Sequence, residues 1–395
     1  MVLDKRALGI AFAAVAAFID LYATQALLPL FAREFAASPA AVSHTVSATT
    51  FAVALIAPFT GVIADMIGRK RVIVTAMFAL VVPTLMVALA GSLGAIVFWR
   101  FVQGLMLPPI FAVTVAYIGE EFPGEATGMT GIYVAASGIG GFLSRFLTGL
   151  LAEQFGWRWA FVGLAAVTLG CAAGGAALIP RERRFHRSGG VVAALGFIAA
   201  HLRNTQLLAT YAVGFGVLFA FVAVFTYVSF LLAAAPFLLS TAALGTIFVV
   251  YLVGVAIAPL TGRLVGAFGR RRLVTLAAVL WIAGLAITLV PNLWAILAGL
   301  ALCVACGFLC QSCATSYVAV TARQARSSAV GLYVTIYYVG GGAGAVLGGY
   351  AWNIAGWPGC VAIVAAVVAA VALLARRFWR EPQRPPDTLR TAPET

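Results

Sequence analysis

Apolar residues run through this chain in long stretches, separated by short breaks that are either polar or rich in glycine and proline. A bilayer core is crossed by about 20 apolar residues. On that measure the pattern predicts twelve helices, roughly 7–32, 41–64, 71–90, 93–118, 127–152, 158–180, 205–232, 239–262, 272–290, 293–320, 327–351 and 359–379. The breaks alternate between two kinds. One is short and nearly uncharged, as at Gly91-Ser92-Leu93-Gly94, Ala235-Pro236, Pro291-Asn292 and Gly356-Trp357-Pro358-Gly359. The other is basic. The longest polar break, Arg181 to Asn204, divides the helices into two sets of six. The predicted organisation is a six-helix bundle over 1–180, a cytoplasmic linker over 181–204, a second six-helix bundle over 205–380 and a polar tail over 381–395. Within the linker, residues 189–203 are apolar enough for a helix lying at the inner surface. The tail is Pro-rich and expected to be disordered.

The two sets are related by sequence. The basic loop Gly61-Val62-Ile63-Ala64-Asp65-Met66-Ile67-Gly68-Arg69-Lys70-Arg71 recurs as Gly262-Arg263-Leu264-Val265-Gly266-Ala267-Phe268-Gly269-Arg270-Arg271-Arg272, after matching Ala-Pro-x-Thr runs at Ala57 and Ala258. Further on, Gly131-Ile132-Tyr133-Val134, Gly140-Gly141, Gly149 and Gly156-Trp157 recur as Gly331-Leu332-Tyr333-Val334, Gly340-Gly341, Gly349 and Gly356-Trp357. Two matched blocks at nearly one offset mark a duplicated six-helix unit, the parallel repeat known in one class of transporters.

Composition agrees with a membrane chain. Of 395 residues 63% are hydrophobic and 9% charged, against about 25% charged in soluble domains. Runs of this length suit helices rather than the alternating strands of about 10 residues found in barrels. The net charge of +13 would suggest nucleic acid in a soluble protein. Its distribution excludes that partner: with the N-terminus inside, all but Arg33, Arg158 and the intrahelical Arg100 and Arg145 of the 25 Lys and Arg residues fall on the inner side. This is the positive-inside pattern, and it predicts cytoplasmic N- and C-termini. The six cysteines, Cys171, Cys303, Cys306, Cys310, Cys313 and Cys360, all lie in apolar runs. There they act as small hydrophobes. Four of them share one face of the tenth helix, but one helix cannot wrap four ligands around an ion, so no metal and no cofactor is expected.

Ionisable groups inside a bilayer are costly and are candidate functional sites. Three stand out: Asp20, Arg100 and Arg145. Counting about 1.5 Å per residue from the helix ends places all three in one layer of the outer half. Three readings follow. Asp20 exchanges a proton, with burial and nearby arginine opposing each other; or the surplus arginine binds an anionic substrate; or the three form a static network that locks the helices.

The repeated loop resembles the signature of the major facilitator superfamily, Gly-x-x-x-Asp-x-x-Gly-Arg-Lys, at Gly61, Asp65, Gly68, Arg69 and Lys70, with Met66 where a basic residue is common. The second copy has Gly266 in place of the acid. Arg100-x-x-Gln103-Gly104 is similar to a motif of the proton-coupled members, especially the twelve-helix drug:H⁺ antiporters. The fifth-helix antiporter motif fits at Gly131, Gly140 and Gly149. It departs at Ser144, at Arg145 in the proline place and at Thr148, which brings the chain nearer to the sugar or metabolite efflux permeases. The resemblance implies an all-α polytopic fold of two pseudo-symmetric bundles and a secondary transporter, not an enzyme. It implies proton-coupled efflux of a drug or metabolite across the cytoplasmic membrane by a monomer among lipids. Proton-linked or facilitative uptake of an anionic substrate is the alternative. It also implies a central cavity walled by helices 1, 4, 7 and 10, with Tyr22, Gln25, Gln103, Phe225, Thr226, Tyr227, Gln311, Thr315 and Tyr317 as candidate substrate contacts, and Tyr333, Tyr337 and Tyr338 from helix 11. Interhelical packing is the competing role for each aromatic. Finally it implies a gate in which Asp65 caps the inner end of helix 11 and Arg69 pairs with Glu120 or Glu121. An enzyme or sensor is the reading of a different class. The sequence offers no paired catalytic carboxylates or phosphate loop, and none of its three histidines, His44, His186 and His201, is placed to make an intramembrane catalytic dyad.

Overall fold

The computed structural model describes residues 4–122, 124–182, 201–322 and 326–379. The expected surface helix over 189–203 falls mostly outside these residues, as does the tail beyond 379. The elements are all helices among the described residues. We label them α1 (Lys5–Glu34), α2 (Pro39–Ile67), α3 (Arg69–Ala88), α4 (Leu93–Glu121), α5 (Ala126–Phe155), α6 (Trp157–Leu178), α7 (Thr205–Ala233), α8 (Thr241–Phe268), α9 (Arg270–Ile287) and α10 (Leu293–Thr321). A last helix, Arg326–Phe378, bends sharply at Ala355 and Gly356; its arms are α11 (326–354) and α12 (357–378). Ten stretches among the described residues are long and apolar enough to cross a membrane; the bent last one, as two arms, and α9 bring the helices to twelve.

The corners repeat between the halves for the same local reasons. Ser38, Ser92, Ser240 and Asn292 cap α2, α4, α8 and α10 by accepting backbone N–H bonds from the first turn, which satisfies donors that a helix start leaves free. Gly68, Gly156, Gly269 and Gly356 turn the chain between α2/α3, α5/α6, α8/α9 and α11/α12, with φ of +103°, +88°, +75° and +60°. A side chain in that region costs about 1–2 kcal/mol, so these four glycines are geometric requirements. Packing repeats as well: α1 lies on α5 as α7 lies on α11, α3 on α4 as α9 on α10, and α3 on α6 as α9 on α12.

The halves meet along α2–α11 and α5–α8. These contacts lie toward the face opposite the basic loops. There the Ser43 hydroxyl donates to the Ala345 carbonyl at 3.2 Å, and the Ala242 N–H donates to Glu153 Oε2 at 2.7 Å. A Cβ placed on Gly149 would lie 2.6 Å from the Thr241 carbonyl oxygen. Toward the basic face the same four helices part: a Cβ at Gly61, Gly131, Gly262 or Gly331 would meet nothing within 4 Å. The molecule is therefore shut on one face and open on the basic one.

Two helices are broken at mid-depth. α1 loses its regular winding between Leu21 and a 3₁₀ turn at Gln25–Leu27. α8 does so at the 3₁₀ turn Phe248–Val250. A break inside a membrane is tolerated where other groups satisfy the freed backbone, and both breaks border the candidate site.

Candidate functional site

Asp20 is fully buried on the first part of α1. Its carboxylate accepts from Thr84 Oγ1 of α3 at 2.9 Å, Gln103 Nε2 of α4 at 3.2 Å and Thr168 Oγ1 of α6 at 2.8 Å. Arg100 lies alongside, also fully buried, but the two charges do not touch. Gln103 stands between them, accepting from Arg100 Nη1 at 2.8 Å while donating to Asp20. The guanidinium instead donates to the carbonyls of Asp20 and Leu21, both at 2.6 Å, and to that of Thr45 at 3.2 Å. The first two are carbonyls at the end of the regular α1 winding, where a cation complements the helix dipole. Arg100 thus holds the α1 break open and ties α1 and α2 to α4.

Arg145 does not join this network. It is buried on α5, and its guanidinium lies 4.7 Å from the Tyr22 ring of α1 and 4.8 and 4.9 Å from the Phe248 and Tyr251 rings of α8. Nε and Nη2 both donate to Gln25 Oε1, at 2.9 and 2.7 Å, and Nη1 donates to the Gly141 carbonyl at 2.5 Å. Gln25 Nε2 reaches across to Thr226 Oγ1 of α7 at 3.4 Å. Among the described residues no carboxylate comes within 4.0 Å of Arg100 or Arg145. The Arg145 cluster therefore draws on both halves, whereas the Asp20 cluster is built from α1, α3, α4 and α6 alone.

The remaining candidates divide between these surroundings and plain packing. Tyr22 and Gln25 touch Arg145. Phe225 is buried against Tyr251 and Phe248, with ring centroids 4.6 and 5.7 Å away. Gln311 accepts from the Tyr333 hydroxyl at 2.8 Å, and Tyr337 stacks on Tyr333 at 5.9 Å. Tyr338 stacks on Phe111 of α4 at 5.8 Å, a contact between the halves. Gln103 belongs to the Asp20 network. The Tyr227 hydroxyl donates to the Ala345 carbonyl at 2.6 Å in the α7–α11 seam. Tyr317 is buried, stacked on Trp379 at 4.7 Å. Sequence reasoning missed Thr84 and Thr168, whose signal is a hydroxyl in an apolar helix. It also missed Phe248 and Tyr251, which nothing in the sequence separates from packing aromatics.

At the basic loop, Arg69 forks onto both carboxylate oxygens of Glu120 and pairs with Asp65 at 3.1 Å. The Lys70 N–H donates to Glu182 Oε2 at 3.0 Å, so an acid caps the start of α3. Gly61 faces open space, as noted. Of the signature residues, Asp65 and Arg69 pair with each other, and Arg69 with Glu120, all within the first half.

This architecture matches a known one. A family model described as Major Facilitator Superfamily fits residues 10–238 and 213–395. The chain belongs to the Major Facilitator Superfamily. Among its relatives, the Inner membrane transport protein YnfM of Escherichia coli (strain K12) is 32% identical over 371 residues, covering 93% of this chain and 89% of that protein. The MFS-type transporter YybF of Bacillus subtilis (strain 168) is 30% identical, covering 88% and 86%. Solved structures share the fold at lower identity. The nucleoside transporter NupG superposes with a TM-score of 0.74 at 16% identity, covering 97% of this chain and all of that one. A bacterial homologue of the lysosomal transporter Spinster gives 0.74 at 15%, covering 94% and 96%. The protein is a multi-pass membrane transporter of the superfamily, and the superfamily is not one of enzymes.

Proposed function

We propose that residues 1–180 and 205–380 rock against each other in an alternating-access cycle, and that Asp20 carries a proton through it. The basic face and both termini are assigned to the cytoplasm on the positive-inside pattern, so the conformation described above is inward-facing. The observation that carries the proton role is the dual bonding of Thr84. Its one hydroxyl proton has two acceptors, Asp20 Oδ1 at 2.9 Å and the Leu80 carbonyl at 2.8 Å. With Asp20 ionised, Thr84 donates to it; with Asp20 protonated, Thr84 turns to Leu80 and accepts. Both charge states of a buried acid are thereby satisfied, which a static ion pair would not need. Transport is assigned as efflux of a small organic molecule in exchange for protons, by a single chain. To test it, compounds that raise the melting temperature in a screen of metabolites and drugs of both charges are loaded into proteoliposomes. An inward proton gradient should speed their exit. Equal exit with and without the gradient would make the protein a facilitator, and movement alongside the protons would make it an importer.

The cytoplasmic gate is assigned to Asp65, Arg69 and Glu120, with Gly61, Gly68 and Lys70 shaping the loop. In the outward-open state the Asp65 carboxylate would meet the positive end of α11, an interaction worth about 0.3–1 kcal/mol. Asp65→Asn should therefore shift the population toward inward-open by about two- to fivefold. A thiol reagent on Gly131→Cys reads this as faster labelling; an unchanged rate would leave the loop with a topological role only.

A further inference from the structure

We infer that the substrate is an organic anion with a flat apolar body, and that Arg145 is the residue that reads its charge. The inference rests on the alternating-access reading above and deepens it. Arg145 places a cation on α5 between α1 and α8. It is 1% exposed, in a helix that crosses the membrane, where an uncompensated charge is costly. Three aromatic faces offset part of that cost. The group in the pairing position is Gln25, a neutral amide that takes two guanidinium N–H bonds through one oxygen. A guanidinium has five N–H groups; three are used, leaving one on each Nη, the number that a bidentate carboxylate takes. Among the described residues no carboxylate balances this charge, so its counter-charge is assigned to the ligand.

The surroundings describe the rest of the ligand. Tyr22 and Tyr251 keep partial exposure beside the buried arginine. Gln311 and Tyr337, both against Tyr333, are partly exposed too. Tyr22 and Gln25 come from the first half, Phe248 and Tyr251 from the second. An anion held here is gripped by both halves while the far face is shut, and loses part of its site when that face opens. Release would then follow from the same motion that changes access.

The test uses purified full-length protein and matched pairs: benzoate with benzamide, indole-3-acetate with indole-3-acetamide, butyrate with butyramide. Thermal shift and calorimetric titration are read for each. At least one aromatic carboxylate should bind wild type about tenfold tighter than its amide, the scale of a charged hydrogen-bonded pair. Arg145→Gln should erase that preference and Arg145→Lys should keep part of it. Gln25→Glu supplies an internal carboxylate; it should abolish carboxylate binding while raising the melting temperature, and it carries the test even if Arg145→Gln fails to fold. The inference is overturned if no carboxylate outbinds its amide on wild type, or if the preference survives Arg145→Gln or Gln25→Glu. Asp20→Asn should bind carboxylates as wild type does, so a failure of proton coupling is seen separately from a failure of anion recognition.

Discussion

Asp20→Asn is expected to abolish proton-driven transport while leaving exchange of substrate across the membrane intact. Asparagine matches aspartate in shape but neither takes up nor releases a proton. Its carbonyl oxygen retains the Thr84 and Gln103 donors, and its amide donates to Thr168 Oγ1, which is free to accept because a hydroxyl is both donor and acceptor. The substitution exchanges charge-assisted bonds for neutral ones, a loss of about 1–2 kcal/mol, too little to unfold a domain with 5–15 kcal/mol in hand. Fold and binding should persist, and the half-cycle that returns without a proton should run. In proteoliposomes a pH gradient would then no longer speed efflux, while counterflow of labelled against unlabelled substrate would continue. Gradient-driven efflux that survives in Asp20→Asn would remove the proton from this residue. Loss of counterflow as well would make the Asp20 cluster a structural tie between α1, α3, α4 and α6.

The Asp20 cluster also shows how far the sequence was legible. Residue counting along the helices set Asp20, Arg100 and Arg145 at one depth, and the first two do lie side by side. Depth is only one coordinate. Successive residues on a helix turn by about 100°, so Tyr22 faces roughly the opposite side of α1 from Asp20. Arg100 approaches one side of α1 and Arg145 the other, so the one layer holds two clusters. The repeat was more informative, because it acts through local chemistry. The glycines at 68, 156, 269 and 356 and the caps at Ser38, Ser92, Ser240 and Asn292 each fix a corner by themselves. The breaks in α1 and α8 had no such signature. Neither the stretch from Tyr22 to Thr24 nor that from Phe248 to Val250 contains glycine or proline, and the α1 break is held by Arg100, which lies 79 residues away in sequence from Leu21. A helix interruption stabilised by a distant side chain is not readable from the interrupted segment. Tyr227 and Tyr317 pack in helix seams for a related reason: an aromatic on the expected helix still has to face the expected way.

Gly149→Leu should trap the transporter outward-open and stop the cycle. At this point α5 and α8 touch through backbone. A Cβ on Gly149 would sit 2.6 Å from the Thr241 carbonyl oxygen and 3.2 Å from Gly245 Cα, and a Cβ on Gly245 would sit 2.5 Å from the Arg145 carbonyl oxygen. Neither side offers a flexible side chain that can give way, so four added carbons are accommodated only if the two helices separate. Overpacking of a tight seam costs about 1–3 kcal/mol, which as a population shift is about 5- to 150-fold against the closed far face. The nearest atoms to Gly149 all belong to α8, so the packing of α5 within its own half is untouched and the protein should still fold. Gly131→Leu on the same helix supplies the opposite sign. It lies in the open stretch, with nothing within 4 Å of its Cβ, and it should be silent inward-facing while obstructing closure of the cytoplasmic side. Labelling of a cysteine at Ala40 reports the far face: Gly149→Leu should raise its rate and Gly131→Leu lower it. A single rigid conformer predicts no change for Gly131→Leu and misfolding for Gly149→Leu. Only two halves that pivot between these contacts give shifts of opposite direction from two glycines on one helix.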